Sequence, residues 1–124
     1  MTDLTGWPGV LMRAGSLAVA CLSPIALAAA EESCIASVYS ERFSRPLADG
    51  RRHHPDEMLA AHRHLPLNSL VRVVVAGTGR SIALPIRDRG PFVRGRCIDL
   101  SRGAARRLGV AGLARVTVEP IANH

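Results

Sequence analysis

A mainly β fold closed into a small barrel is what this sequence predicts, and three observations carry the prediction. Short runs rich in Val, Ile and Leu recur at Leu70 to Ala76, Ser81 to Ile86, Cys97 to Leu100 and Ala114 to Glu119, each of a length and composition that suits a strand. Gly and Pro punctuate the gaps, as at Gly77, Gly79, Gly90 and Pro91. Helical patterns are short, and they do not alternate with strands in the βαβ rhythm of a doubly wound sheet. At 124 residues the chain has room for one domain with a modest single core.

Residues 1–30 stand outside that core. Arg13 precedes an apolar run from Leu17 to Ala30 that ends in Ala26-Leu27-Ala28-Ala29-Ala30, the small-residue cleavage pattern of a secretory signal peptide. The run is shorter than the ~20 apolar residues a spanning helix needs, and Pro24 interrupts it. Cys21 follows Leu17-Ala18-Val19-Ala20, with Ala18 where a lipidation box usually carries Leu. It reads as a small apolar residue of the leader, and membrane attachment is expected only if it is lipidated. The expectation is an exported barrel domain over 31–124, in the periplasm or cell envelope and monomeric.

Within that domain, Cys34 to Ser40 reads as the first strand, with Ile35, Val38 and Tyr39 as its β-forming side chains. A polar stretch with Pro46, Gly50 and Pro55 reads as a long loop. Asp56 to His62 reads as a short helix, because Asp56 and Glu57 suit its positive N-terminal end and Met58 to Ala61 follow. Leu70 to Ala76 and Ser81 to Ile86 form a hairpin about Gly77-Thr78-Gly79. Cys97 to Leu100 leads to Ser101, the N-cap of a helix through Ala104, Ala105 and Leu108 that stops at Gly109. Ala114 to Glu119 closes the sheet.

Cys34 and Cys97 are an even pair in a chain that reads as exported, so a disulfide is expected. Neither has a second cysteine nearby, and His53-His54 and His62-Arg63-His64 read as solvated polar residues, so neither metal nor cofactor is expected. All 16 basic residues are Arg against ten acids, a formal charge of +6 that favours anionic partners. Nucleic acid is excluded, since Tyr39, Phe43 and Phe92 are the only aromatics after residue 30, too few for a stacking platform. Carboxylate-bearing partners match better, because Arg holds a carboxylate through two parallel bonds.

The chemistry concentrates in Arg87-Asp88-Arg89-Gly90-Pro91 and, eight residues after Pro91, in Asp99 of Ile98-Asp99-Leu100-Ser101. An aspartate between two arginines reads first as a paired structural anion. The Gly-Pro that follows makes a sharply turned loop, a good place to hold a side chain in a cleft. The stretch from Asp88 to Ser101, together with Ala36-Ser37-Val38-Tyr39, Ala60-Ala61-His62-Arg63-His64-Leu65-Pro66 and Gly79-Arg80-Ser81, resembles the rare lipoprotein A (RlpA) family over Cys34 to Glu119. That resemblance implies a six-stranded double-psi β-barrel with one or two short helices. It also implies lytic transglycosylation, in which a peptidoglycan glycan strand is cut without water to leave an anhydro-muramyl end.

One carboxyl can perform both proton transfers of such a reaction, protonating the leaving oxygen and then deprotonating the muramyl C6 hydroxyl. Asp88 is the expected acid and base, with Asp99 as the alternative and His62 as a residue that orients Asp88 or binds sugar hydroxyls. Tyr39, Arg51, Arg87 and Arg89 are the expected substrate-binding residues.

The chain also departs from the family pattern. Where members commonly read A-N-G-E-x-F-D-P, this sequence has Ala48-Asp49-Gly50-Arg51-Arg52-His53-His54-Pro55. Arg51 replaces the acidic Glu and cannot exchange a proton, and His54 replaces the Asp. Val38 stands where a Trp commonly precedes the Tyr, and no Trp follows residue 30. Two further readings therefore stand beside the enzyme: a non-catalytic glycan-binding or wall-loosening barrel, and a secreted protease inhibitor or other protein-binding barrel.

Overall fold

The computed structural model describes residues 31–39 and 45–121. The leader with Cys21, and Phe43, lie outside the described residues. Six strands and one helix follow in chain order: β1 (Glu32–Val38), β2 (Ala60–His62), β3 (Leu70–Val75), β4 (Ser81–Asp88), β5 (Arg96–Leu100), α1 (Arg102–Leu108) and β6 (Ala114–Pro120). The strands close into a barrel in the order β1-β5-β2-β4-β3-β6, which then returns to β1.

Period-2 alternation explains the most regular strands. In β3, Val71, Val73 and Val75 point inward while Leu70 and Arg72 face out. With Leu84, Ile86, Ile98, Leu100, Val116 and Val118 they fill the barrel, a small aliphatic core that excludes water without aromatics. Gly79 takes a positive φ of 77° in the β3–β4 turn, where its N–H reaches the Val75 carbonyl at 2.8 Å.

Helix α1 starts where its sequence says it should. The Ser101 hydroxyl accepts the Ala104 N–H at 3.1 Å, and Gly109 ends the helix in the left-handed region. Ala104, Ala105 and Leu108 press against the barrel. Gly103 lies so close to the preceding loop that an added Cβ would come within 2.1 Å of the Asp56 carbonyl oxygen.

The second expected helix, Asp56 to His62, does not form. A turn occupies 55–57 and Ala60–His62 is strand β2, antiparallel to β5 on one side and parallel to β4 on the other. Pairing on both sides satisfies the backbone groups that a helix would have satisfied internally, so tertiary context overrides the local signal. Ala60 and Ala61, both fully buried, are small enough for this crowded place.

Cys34 and Cys97 are joined as a disulfide between β1 and β5, with Cα atoms 5.8 Å apart across 63 residues of sequence. The parallel register slips between Ile35 and Ala36, which pair with Arg96 and Ile98 and leave Cys97 unpaired in that ladder.

Candidate functional site

Backbone register brings the two aspartates to one face. Ala61 on β2 lies opposite Asp88 of β4 on one side and Asp99 of β5 on the other. Residues directly opposite in neighbouring strands share a face, so both side chains emerge on the same side, two strand spacings or roughly 10 Å apart at their Cα atoms. A slip in the β2–β4 register makes this possible, because Ala60 pairs with Ile86 but Ala61 pairs with Asp88, passing over Arg87.

The carboxylates open into a cleft of about 460 Å³. Ser37, Val38 and Tyr39 form one wall, the Arg89-Gly90-Pro91-Phe92-Val93 loop another, and Arg45 and Arg96 add charge. Gly90 takes a φ of 120° ahead of Pro91, and Phe92 stands 77% exposed at the rim.

Asp88 is buried to 6% exposure and held on both oxygens. Its Oδ2 accepts the Tyr39 hydroxyl, and its Oδ1 accepts the Ala48 backbone N–H at 2.8 Å. Asp99 takes the Ser37 hydroxyl on Oδ1 at 2.5 Å, a bond set by the direct Ser37–Asp99 pairing of β1 with β5. Burial pushes the Tyr39 phenol far above its usual range; the hydrogen bond to Asp88 and the negative charges of Asp88 and Asp99 add to this, and Arg45 only partly offsets them. Tyr39 therefore stays a protonated donor between two acids.

His62 is placed differently from the sequence expectation. It is on a strand rather than a helix end, 1% exposed, and its ring bonds to groups other than Asp88. Its Nδ1 accepts the backbone N–H groups of His64 and Leu65, and its Nε2 meets the Glu32 carboxylate at 2.9 Å. Burial lowers its pKa, against the opposing pull of Glu32, so the ring is neutral with its proton on Nε2. Its link to the cleft is its carbonyl, which accepts the Arg89 guanidinium at 3.0 Å, and the same nitrogen donates to the Leu65 carbonyl at 2.6 Å.

Of the expected substrate-binding residues, Tyr39 and Arg89 line the cleft and Arg51 and Arg87 do not. Arg87 projects from the strand slip to the Asn68 side chain. Arg51 is exposed on the turn after Asp49, whose carboxylate accepts its N–H at 2.9 Å. Ser37, Ala48, Arg45, Arg96 and Phe92 were missed by sequence reasoning. Ser37, Phe92 and Arg96 did have a signal to offer, since they lie inside the stretches that resemble the family.

A family model described as lytic transglycolase matches residues 31–119. Relatives named as endolytic peptidoglycan transglycosylase RlpA include a probable one from Nostoc sp., 54% identical over 77 residues. That match covers 60% of this chain and 21% of the relative. Another, from Pasteurella multocida, is 47% identical over 90 residues, covering 70% of this chain and 31% of the relative. The chain thus spans under a third of the length of these two relatives.

Among solved structures, a Streptomyces papain inhibitor superposes with a TM-score of 0.59 at 21% identity, over 77% of this chain and 98% of its own. A Clavibacter michiganensis expansin variant in complex with cellohexaose superposes with a TM-score of 0.60 at 18% identity, over 77% of this chain and 52% of its own. These two likenesses bear on the fold alone. The family-model match and the identity to the named relatives together show that this chain belongs to the RlpA family of lytic transglycolase double-psi β-barrels.

Proposed function

We propose that the chain is an exported lytic transglycosylase that binds a peptidoglycan strand across the Asp88–Asp99 cleft and cuts it at a muramyl residue. Asp88 in its acid form gives its proton to the glycosidic oxygen as the bond from that oxygen to muramyl C1 breaks. The resulting carboxylate takes the proton of the C6 hydroxyl while O6 closes on C1. No water is consumed, and the carboxyl is regenerated with the anhydro ring. Asp99, steadied by Ser37, lies on the same face to stabilise positive charge developing at C1.

Arg45, Arg89 and Arg96 supply cations for lactyl or peptide carboxylates, and Phe92 offers a sugar ring an apolar face. The apolar leader and the disulfide support export. The observation that carries this reading is Asp88 itself, almost buried at the foot of an open cleft that also receives Asp99.

Mass spectrometry of soluble products from purified peptidoglycan tests the reaction. Anhydro-muramyl fragments are expected from the parent and, reduced about 10²- to 10⁴-fold, from Asp88→Ala. A parent that releases no such fragments but co-sediments with sacculi favours a second reading, a glycan-binding barrel. The observation behind that alternative is Arg51, which stands exposed where the family pattern carries Glu.

A further inference from the structure

We propose that His53 is a positioning residue for Asp88, acting through a clasp with Asp49 and Glu57 that keeps the Ala48 N–H on the Asp88 carboxylate. The role in turnover rests on the reading of Asp88 as the reacting group; the clasp itself does not.

Both ring nitrogens of His53 face carboxylate oxygens. Nε2 lies 2.8 Å from Asp49 Oδ2 and Nδ1 lies 2.9 Å from Glu57 Oε1. The His53 and Asp49 side chains are only 7% and 3% exposed, so the contact is enclosed rather than a solvated surface pair. From this clasp the connection to Asp88 is short. Asp49 donates its own N–H to the Arg87 carbonyl at 3.1 Å, and its neighbour Ala48 donates to Asp88. Leu47 N–H to the Arg51 carbonyl at 3.0 Å and Gly50 N–H to the Leu47 carbonyl at 2.8 Å close the turn.

At the other end, the Glu57 carbonyl accepts the Ser101 hydroxyl at 2.6 Å, two residues past Asp99. The clasp therefore pins a loop anchored on β4 at Arg87 and, at Ser101, just past the end of β5. In the family pattern quoted above, Asn and Phe stand where this chain has Asp49 and His53, so the ionisable clasp is a property of this sequence.

A neutral imidazole has a single N–H, and it can donate to only one of the two carboxylates. Both bonds require the imidazolium. Arg87 of β4 lies near Asp49 and His54 near Glu57, positive neighbours that oppose a charge on His53, while Arg102 and Arg106 of α1 are drawn off to Asp56. Burial works against the charge on His53, but the hydrogen bonds to Glu57 and Asp49 outweigh it and raise its pKa. A raised folded-state value means the clasp is intact at lower pH and is lost as pH rises through the His53 titration.

Amide hydrogen exchange of the full-length parent, His53→Ala and His53→Gln, corrected for intrinsic rates, reads the clasp directly. Ala48 is expected to exchange about tenfold faster in His53→Ala, with Val73 in the core as an unchanged control. In the parent, Ala48 protection should fall as pH rises above the ordinary histidine range, and in His53→Gln, which cannot titrate there, it should be flat. In steady-state release of anhydro-muramyl product, kcat should drop about tenfold in His53→Ala while KM stays within about twofold.

Ala48 exchange unchanged in His53→Ala and flat with pH in the parent overturns the clasp. Faster exchange with unchanged kcat overturns the positioning role. A parent that releases no product sinks the reaction reading alone, and Ala48 exchange then decides whether His53 holds the contact to Asp88.

Discussion

Tyr39 and Asp88 illustrate how much of this site is decided atom by atom. The phenol is held protonated by its surroundings, so it serves Asp88 as a fixed donor rather than as a second acid. Tyr39→Phe removes that donor while keeping the ring, and it should reduce product release by about 10-fold, the worth of roughly 1.4 kcal/mol in a transition state. Steady-state rates at saturating peptidoglycan check this. His62 is a different case: a buried, neutral histidine whose ring serves its own strand and Glu32. Replacing it with Ala should lower stability by about 2–4 kcal/mol, seen as a shift in a denaturant midpoint, because two backbone N–H groups lose their acceptor.

Among the elements, the junction of β5 with α1 is held by several hydrogen bonds at one side chain. The fully buried Ser101 hydroxyl accepts N–H groups from Leu59 and Ala104 and donates to the Glu57 carbonyl. Ser101→Ala should therefore cost about 2–3 kcal/mol in chemical denaturation, more than an ordinary cap. Gly103→Ala drives a methyl into the Asp56 carbonyl and should cost at least about 1–3 kcal/mol.

These elements also show what the sequence made legible. Strands β3 to β6 and α1 were readable because alternation, a serine cap and a terminating glycine are local signals. Strand β2 was not, since Ala-Ala-His has no strand preference of its own and becomes a strand only when β4 and β5 pair with it. The site divides in the same way. Asp88 and Asp99 stood out in their motifs, whereas Ala48 and Ser37 became their partners through loop closure and parallel register, which link residues 40 and 62 positions apart.

At the scale of the molecule, closure and charge set the stability. The disulfide spans 63 residues, so replacing both Cys34 and Cys97 with Ala should lower unfolding free energy by about 4 kcal/mol, measured in guanidinium. His53 and the buried His62 pull on pH stability in opposite directions. His53, raised, stabilises as pH falls; His62, lowered, withholds a proton the unfolded chain accepts, so its contribution fades as pH falls below about 6.5. Thermal melts of His53→Gln and His62→Gln across that range should diverge from the parent at opposite ends.

The barrel's ring order has a further consequence for how the molecule comes into being. Strand β1 finds its partners only in β5 and β6, the last strands to be synthesised. A chain emerging from the ribosome N-terminus first must hold β1 unpaired until nearly all of the barrel has been made, and loop closure of that length is slow. The barrel therefore cannot close until its last two strands have been made, even though β2, β3 and β4 can pair with one another earlier.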